Sequence, residues 1–165
     1  AAVQIAKYLG AHVTAVCGSS NVEMVKDLGA DEVIDYTKEK FYSSREKWDV
    51  IFDAVGKSSF SECKSVLTDN GVYMTTIPSL GVMIRMMLGS KTKGKRAVFS
   101  ATGLRKVEDK TKDTIFLRDL VIEGKMKVVT DKVWPLEKIV EAHTYVEEGH
   151  KKGNVAITVI YNENY

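Results

Sequence analysis

The spacing of apolar residues switches repeatedly between the two periods that mark helices and strands. Val3, Ile5, Ala6 and Leu9 recur at helical spacing and Gly10 offers a stop, so residues 1–9 are predicted as an amphipathic helix. It has no N-terminal cap, so the sequence reads as if cut into a helix already under way. His12-Val13-Thr14-Ala15-Val16-Cys17 then reads as a strand, bounded by the polar run Gly18-Ser19-Ser20-Asn21. Asn21 stands where it can cap a helix through Leu28, which Gly29 ends. Glu32-Val33-Ile34-Asp35 is a short strand, and the charged residues 38–47 suit a solvated connector or helix. Residues 49–56 form an apolar run of the kind a strand buried on both faces requires.

A helix over residues 58–68 follows, stopped by the turn Asp69-Asn70-Gly71. Strands are predicted at 72–77, closed by Pro78, and at 96–100. A helix at 111–123 ends before Gly124, a second at 136–148 begins after Pro135, and residues 154–160 form a last strand. Strands alternating with helices at this spacing indicate βαβ units and a parallel sheet, an α/β fold. No internal repeat or low-complexity tract interrupts the pattern.

Composition narrows the function classes. With 165 residues, 44% hydrophobic and 28% charged, the chain can bury one domain core and is not of disordered composition. Twenty-four Lys and Arg against twenty-two Asp and Glu leave a charge of +2, which supplies no electrostatic reason for a nucleic-acid or anionic-membrane partner. No apolar run reaches membrane-spanning length and no signal-peptide pattern opens the chain, so a cytoplasmic protein is expected. Cys17 and Cys63 lack metal-ligand spacing and read as small, semi-buried residues.

Several local patterns have both a chemical and a plain reading. Gly89-Ser90-Lys91-Thr92-Lys93-Gly94-Lys95 has the glycine spacing of a phosphate loop, but Arg96 stands where Ser or Thr is required and a strand follows, which favours a solvated basic turn. Tyr36 and Lys40 have Tyr-x-x-x-Lys spacing, yet Tyr36 closes a strand, so the two would point apart. His12, His143 and His150 fit no ligand or triad pattern and read as surface or packing residues. Met83, Met86, Met87 and Leu88 form an apolar stripe suited to a core or subunit interface. The most informative feature is the end of the strand at Cys17. A dinucleotide-binding sheet that prefers NAD has a carboxylate there; Gly18-Ser19-Ser20-Asn21 has small donors instead, which suits a phosphate at the following helix start, beside the alternative of an ordinary polar turn.

Residues 2–11, residues 25–36 with their Leu28-Gly29-Ala30-Asp31 and Val33-Ile34-Asp35-Tyr36, and Phe52-Asp53-Ala54-Val55-Gly56 together resemble the medium-chain dehydrogenase/reductase superfamily. The closest likeness is to its zinc-free quinone oxidoreductase branch, and Pro135-Leu136-Glu137-Lys138-Ile139 and residues 149–155 follow the closing pattern of that family in order. The resemblance implies a Rossmann-like, doubly wound parallel sheet lacking its first strand and glycine-rich turn, over residues 1–123. Residues 124–165 then match the segment that in intact relatives returns to a GroES-like catalytic domain. It further implies that Ser19, Ser20 and Asn21 face the adenosine phosphate and that Tyr36 lines the adenine end. Val55 and Gly56 match the turn beside the nicotinamide ribose, Ser100, Ala101 and Thr102 the strand end near the ring, and Asn154 the place of a common lysine.

The expected cofactor is NADPH rather than NADH, with no zinc in this chain and no identifiable catalytic residue. The expected substrate is a quinone, enone or related small carbonyl compound, with a homo-oligomer and no nucleic-acid or membrane partner. A fragment of a zinc-dependent alcohol dehydrogenase and a folded fragment without catalytic activity are the alternatives, and the isolated chain is expected to be inactive. Since the missing strand would be the central one, either a partner chain or residues 154–160 are expected to fill its place.

Overall fold

The computed structural model describes residues 1–79, 81–84, 94–149 and 151–159. In chain order its elements are α1 (Ala2–Tyr8), β1 (Thr14–Cys17), α2 (Val22–Asp27), β2 (Glu32–Asp35), β3 (Trp48–Asp53), α3 (Phe60–Cys63) and β4 (Leu67–Thr75). They continue with β5 (Arg96–Phe99), α4 (Val107–Ile122), β6 (Thr130–Pro135), α5 (Ile139–Glu147) and β7 (Asn154–Thr158). Among the described residues the strands form sheets ordered β1-β2, β3-β4-β5 and β6-β7. The pairs β3/β4, β4/β5 and β6/β7 are parallel, which gives the α/β class that the alternating pattern predicts.

Contacts divide the chain into two units, Ala1–Val33 with Thr114–Tyr165, and Ile34–Asp113. The second holds the main core: Phe60, Cys63, Leu67, Tyr73 and Val82 are buried together, and Phe41, Ile51, Ala97 and Phe99 pack on them. The Phe60 and Tyr73 rings meet edge to face at 6.3 Å. Ser59 caps α3, its hydroxyl accepting from the Glu62 N–H and donating to the Glu62 carboxylate. The helix is short because the chain tightens into a 3-10 turn, Lys64–Val66, and enters β4 at once, which turns Val66 and Leu67 into the interior. The predicted helix over 58–68 is corrected accordingly.

The turn predicted at Asp69-Asn70-Gly71 is also corrected, since these residues lie inside β4. Their turn chemistry survives as an irregularity: β3 advances from Trp48 to Val50 while its partner advances from Leu67 to Val72. β3 itself is not buried on both faces, as its composition predicts. Ile51 packs on the core, whereas Val50 and Phe52 are 57% and 43% exposed.

In the first unit, α1 is tied down by Lys7, whose ammonium pairs with Asp31 at 2.8 Å, and by Gln4, which exchanges hydrogen bonds with the Lys127 backbone at 3.0 and 2.7 Å. Tyr8 meets Phe116 of α4 at 5.8 Å, edge to face. α4 starts at Val107, earlier than the predicted 111. β6, which the pattern did not predict, pairs with β7 in parallel. Asn154–Thr158 is therefore committed to β6, and the expectation that this segment fills the place of a missing central strand is corrected.

Candidate functional site

The strands of the larger sheet end in register: Asp53 of β3 stands opposite Thr75 of β4, and Thr75 opposite Phe99 of β5. Because all three run parallel, the segments that leave them emerge at one edge. The ladder extends one step further through Ser100 N–H to Thr75 O at 2.8 Å. Val55 and Gly56 after β3, and Ser100, Ala101 and Thr102 after β5, are thus brought to the same carboxyl edge. In open α/β sheets, ligands bind outside this edge.

Asp53 holds the first of these turns. Its Oδ1 accepts the N–H groups of Val55 at 3.0 Å and Gly56 at 2.7 Å. Its Oδ2 accepts the Ser58 N–H at 2.9 Å, the Ser58 hydroxyl at 2.7 Å and the Tyr73 hydroxyl at 3.0 Å. Burial pushes the carboxyl pKa up, but the bonds from Ser58, Gly56 and Val55 outweigh it and hold the group at about 2. Burial raises the Tyr73 hydroxyl to about 12, so it stays a donor at neutral pH. Gly56 has φ of 75° and lies so close to Ile77 that a Cβ would come within 2.9 Å of its Cγ1. Any side chain is excluded there, which leaves the turn backbone bare. Sequence reasoning quoted Asp53 within a motif but gave it no role; an acid just before a small-residue turn ending in Gly is the signal for such a clamp.

Tyr36 follows β2 and is 63% exposed. Buried Asp35 fixes its backbone by accepting the Thr37 N–H at 2.9 Å and hydroxyl at 2.7 Å. Lys40 places its ammonium over the Tyr42 ring, 5.8 Å from the centroid.

In the first unit, Ser19–Asn21 forms a 3-10 turn directly after β1. The predicted cap on the next helix is corrected: Asn21 makes no side-chain capping bond, and its Oδ1 is buried without a hydrogen-bond partner. The Ser20 carbonyl accepts from the Lys152 ammonium at 3.0 Å, a contact across 132 positions that local sequence patterns do not reveal. Asn154 turns its side-chain amide to the Val129 carbonyl at 3.2 Å.

The remaining candidates have structural employment or none described. Cys17 and Cys63 form no disulfide, and burial pushes the Cys63 thiol up to about 11, far from a reactive thiolate. His12 and His143 are exposed. Met86, Met87, Leu88, residues 89–93 of the basic loop and His150 lie outside the described residues. Among the described residues no group of three His, Cys, Asp or Glu side chains stands together as a metal site.

Residues 28–157 match the family model described as zinc-binding dehydrogenase. The chain is 34% identical over 160 residues to a chloroplast envelope quinone oxidoreductase homolog of Arabidopsis thaliana, covering 94% of this chain and 47% of that protein. It is 32% identical over 184 residues to a mitochondrial NAD(P)H oxidoreductase of Mus musculus, covering 96% and 44%. Its fold matches the Escherichia coli quinone oxidoreductase complexed with NADPH with a TM-score of 0.72, at 22% identity, over 96% of this chain and 52% of that one. The chain spans about half the length of the curated relatives it matches.

Proposed function

From the premise that the chain belongs to the zinc-binding dehydrogenase family, on the quinone oxidoreductase-like side of the medium-chain dehydrogenase/reductase superfamily, we propose that it is the cofactor-binding part of an NADPH-dependent oxidoreductase. On this reading residues 1–123 are the dinucleotide-binding domain and 124–165 the segment leading to a catalytic domain. The observation that carries the reading is the carboxyl edge of the β3-β4-β5 sheet, where the Asp53-held turn and Ser100, Ala101 and Thr102 stand together.

The residues present fit the cofactor. The bare backbone at Gly56 allows a nicotinamide riboside to approach closely, and Ser100, Ala101 and Thr102 are small. The buried Asn21 Oδ1 lacks a donor, and a ribose hydroxyl can supply one. No carboxylate in Ser19–Asn21 opposes a 2′-phosphate, which favours NADPH over NADH. Tyr36 offers an exposed ring for the adenine, and Asn154 a place near the closing turn.

NADPH, when bound, supplies a hydride to a quinone, enone or related carbonyl acceptor. The chain's own part is to bind and orient: Asp53 stays ionised and fixes the turn, and Tyr73 keeps its proton while holding Asp53. A homo-oligomer belongs to the same reading, supported by the exposed Val50 and Phe52 of β3. So does a cytoplasmic location, supported by two cysteines that remain thiols. No helix among the described residues is long and apolar enough to cross a membrane.

Titration with NADPH and NADH, followed by fluorescence of Trp48 and Trp134, tests the reading. Saturable binding with NADPH the tighter of the two is expected. No saturable response to either below about 1 mM, an affinity of only about 4 kcal/mol, would contradict it.

A further inference from the structure

The turn Ser19–Asn21 has a cation that local sequence does not supply. The residue that follows the turn in the chain is Val22, which carries no charge. The structure brings Lys152 there from the other end of the chain, its ammonium donating to the Ser20 carbonyl at 3.0 Å.

This delivery is built into the segment before β7 rather than left to a loose surface side chain. The β6/β7 register is irregular at its start: Thr130 pairs with Asn154 and Lys132 with Val155, so Asp131 is the extra residue. Such a bulge re-aims a side chain. The Asp131 carboxylate accepts the Lys152 backbone N–H at 3.0 Å and the Tyr145 hydroxyl at 2.6 Å. The Tyr145 bond, then the Lys152 N–H, hold that carboxyl below its usual pKa. Next to it, Gly153 runs so close to β6 that a Cβ would lie 2.6 Å from the Val129 carbonyl oxygen. Asn154 closes the turn with its N–H on the same carbonyl at 2.8 Å. The backbone is therefore held at the Lys152 N–H on one side of its side chain and at Gly153 and Asn154 on the other.

An ammonium carries three donors, and the Ser20 carbonyl takes one, which leaves two for an anion at the turn. Glu23, the carboxylate that follows most closely in the chain, is paired with Lys26 at 3.4 Å. Asn21 Oδ1, buried without a partner at the same turn, lacks a donor, which a ribose hydroxyl beside the phosphate can supply.

We propose that Lys152 is the residue that selects NADPH over NADH, its ammonium binding the adenosine 2′-phosphate at Ser19–Asn21. The inference rests on the reading of that turn as the adenosine phosphate site. A point charge on a flexible stem suits a phosphate whose charge is spread over several oxygens.

The test compares adenosine 2′,5′-bisphosphate with 5′-AMP by calorimetric titration of the unaltered chain and of Lys152→Gln, Lys152→Arg and Lys151→Gln. Thermal melts confirm that each variant is folded. Lys152→Gln is expected to weaken the bisphosphate about tenfold, the worth of one charge-assisted contact, and to leave 5′-AMP unchanged. Lys152→Arg should restore most of the loss, and Lys151→Gln, which removes an equal charge one residue away, should change little. If both ligands bind the unaltered chain but Lys152→Gln weakens them equally or not at all, or Lys151→Gln has the same effect, the assignment of Lys152 is overturned while the reading of the site stands. If neither ligand binds the unaltered chain, the reading of the turn falls and the assignment with it.

Discussion

Asp53 concentrates five hydrogen bonds on one carboxylate, from Val55, Gly56, Ser58 twice and Tyr73. Its pKa in the folded chain is depressed to about 2, against about 4 for a free side chain. The stability it contributes is therefore fully present above about pH 4 and is lost as the pH falls through about 2. Asp53→Ala should cost about 1–3 kcal/mol by leaving the Val55, Gly56 and Ser58 N–H groups without their acceptor, read as a lower denaturant midpoint at pH 7. The same variant should lose less stability than the parent between pH 4 and pH 2; parallel acid profiles would show that the carboxylate is not what holds the turn. Gly56→Ala combines a positive φ with the Ile77 contact, so about 1–2 kcal/mol of destabilisation is expected from the backbone strain alone. An Ala variant as stable as the parent would mean that the turn is loose.

Among the elements, β4 carries the main core, and Leu67, 1% exposed, sits at its irregular entry. Leu67→Ala should lower the unfolding free energy by about 2–5 kcal/mol; a value below about 1 would show that this strand entry is not packed as described. Much of the element order was legible because short apolar runs such as Val33-Ile34 and Ala97-Val98-Phe99 stand between clear stops. β6 was not legible: Thr130-Asp131-Lys132-Val133-Trp134-Pro135 mixes charges with apolar residues and lacks a preceding turn signal, and its partner β7 supplies the order. Tertiary packing likewise overrode the turn propensity of Asp69-Asn70-Gly71. For the candidate site, Val55, Gly56, Ser100, Ala101 and Thr102 were named through the family resemblance, and each follows a strand end. Lys152 was not, since its position depends on the Asp131 bulge and on Gly153 lying against Val129. Gly153→Ala should disrupt that approach and reduce protection of the β6/β7 amides from hydrogen exchange; unchanged protection would contradict the tight contact.

At the scale of the whole molecule, an almost balanced charge and a β3 strand with exposed Val50 and Phe52 leave little to oppose self-association. Sedimentation should reveal species larger than the monomer as concentration rises, and Phe52→Lys should shift them toward the monomer. On the proposed function, the turn at Ser19–Asn21 and the turns holding Val55, Gly56, Ser100, Ala101 and Thr102 each contact NADPH. NADPH added to the isotopically labelled chain, with every backbone amide followed by nuclear magnetic resonance, tests these contacts residue by residue. Saturable shifts are expected at Ser19, Ser20 and Asn21, at Val55 and Gly56, and at Ser100, Ala101 and Thr102. Saturable shifts confined to other surfaces, such as the depression lined by Lys132, Trp134 and Tyr145, with those turns unmoved, would contradict the proposed function.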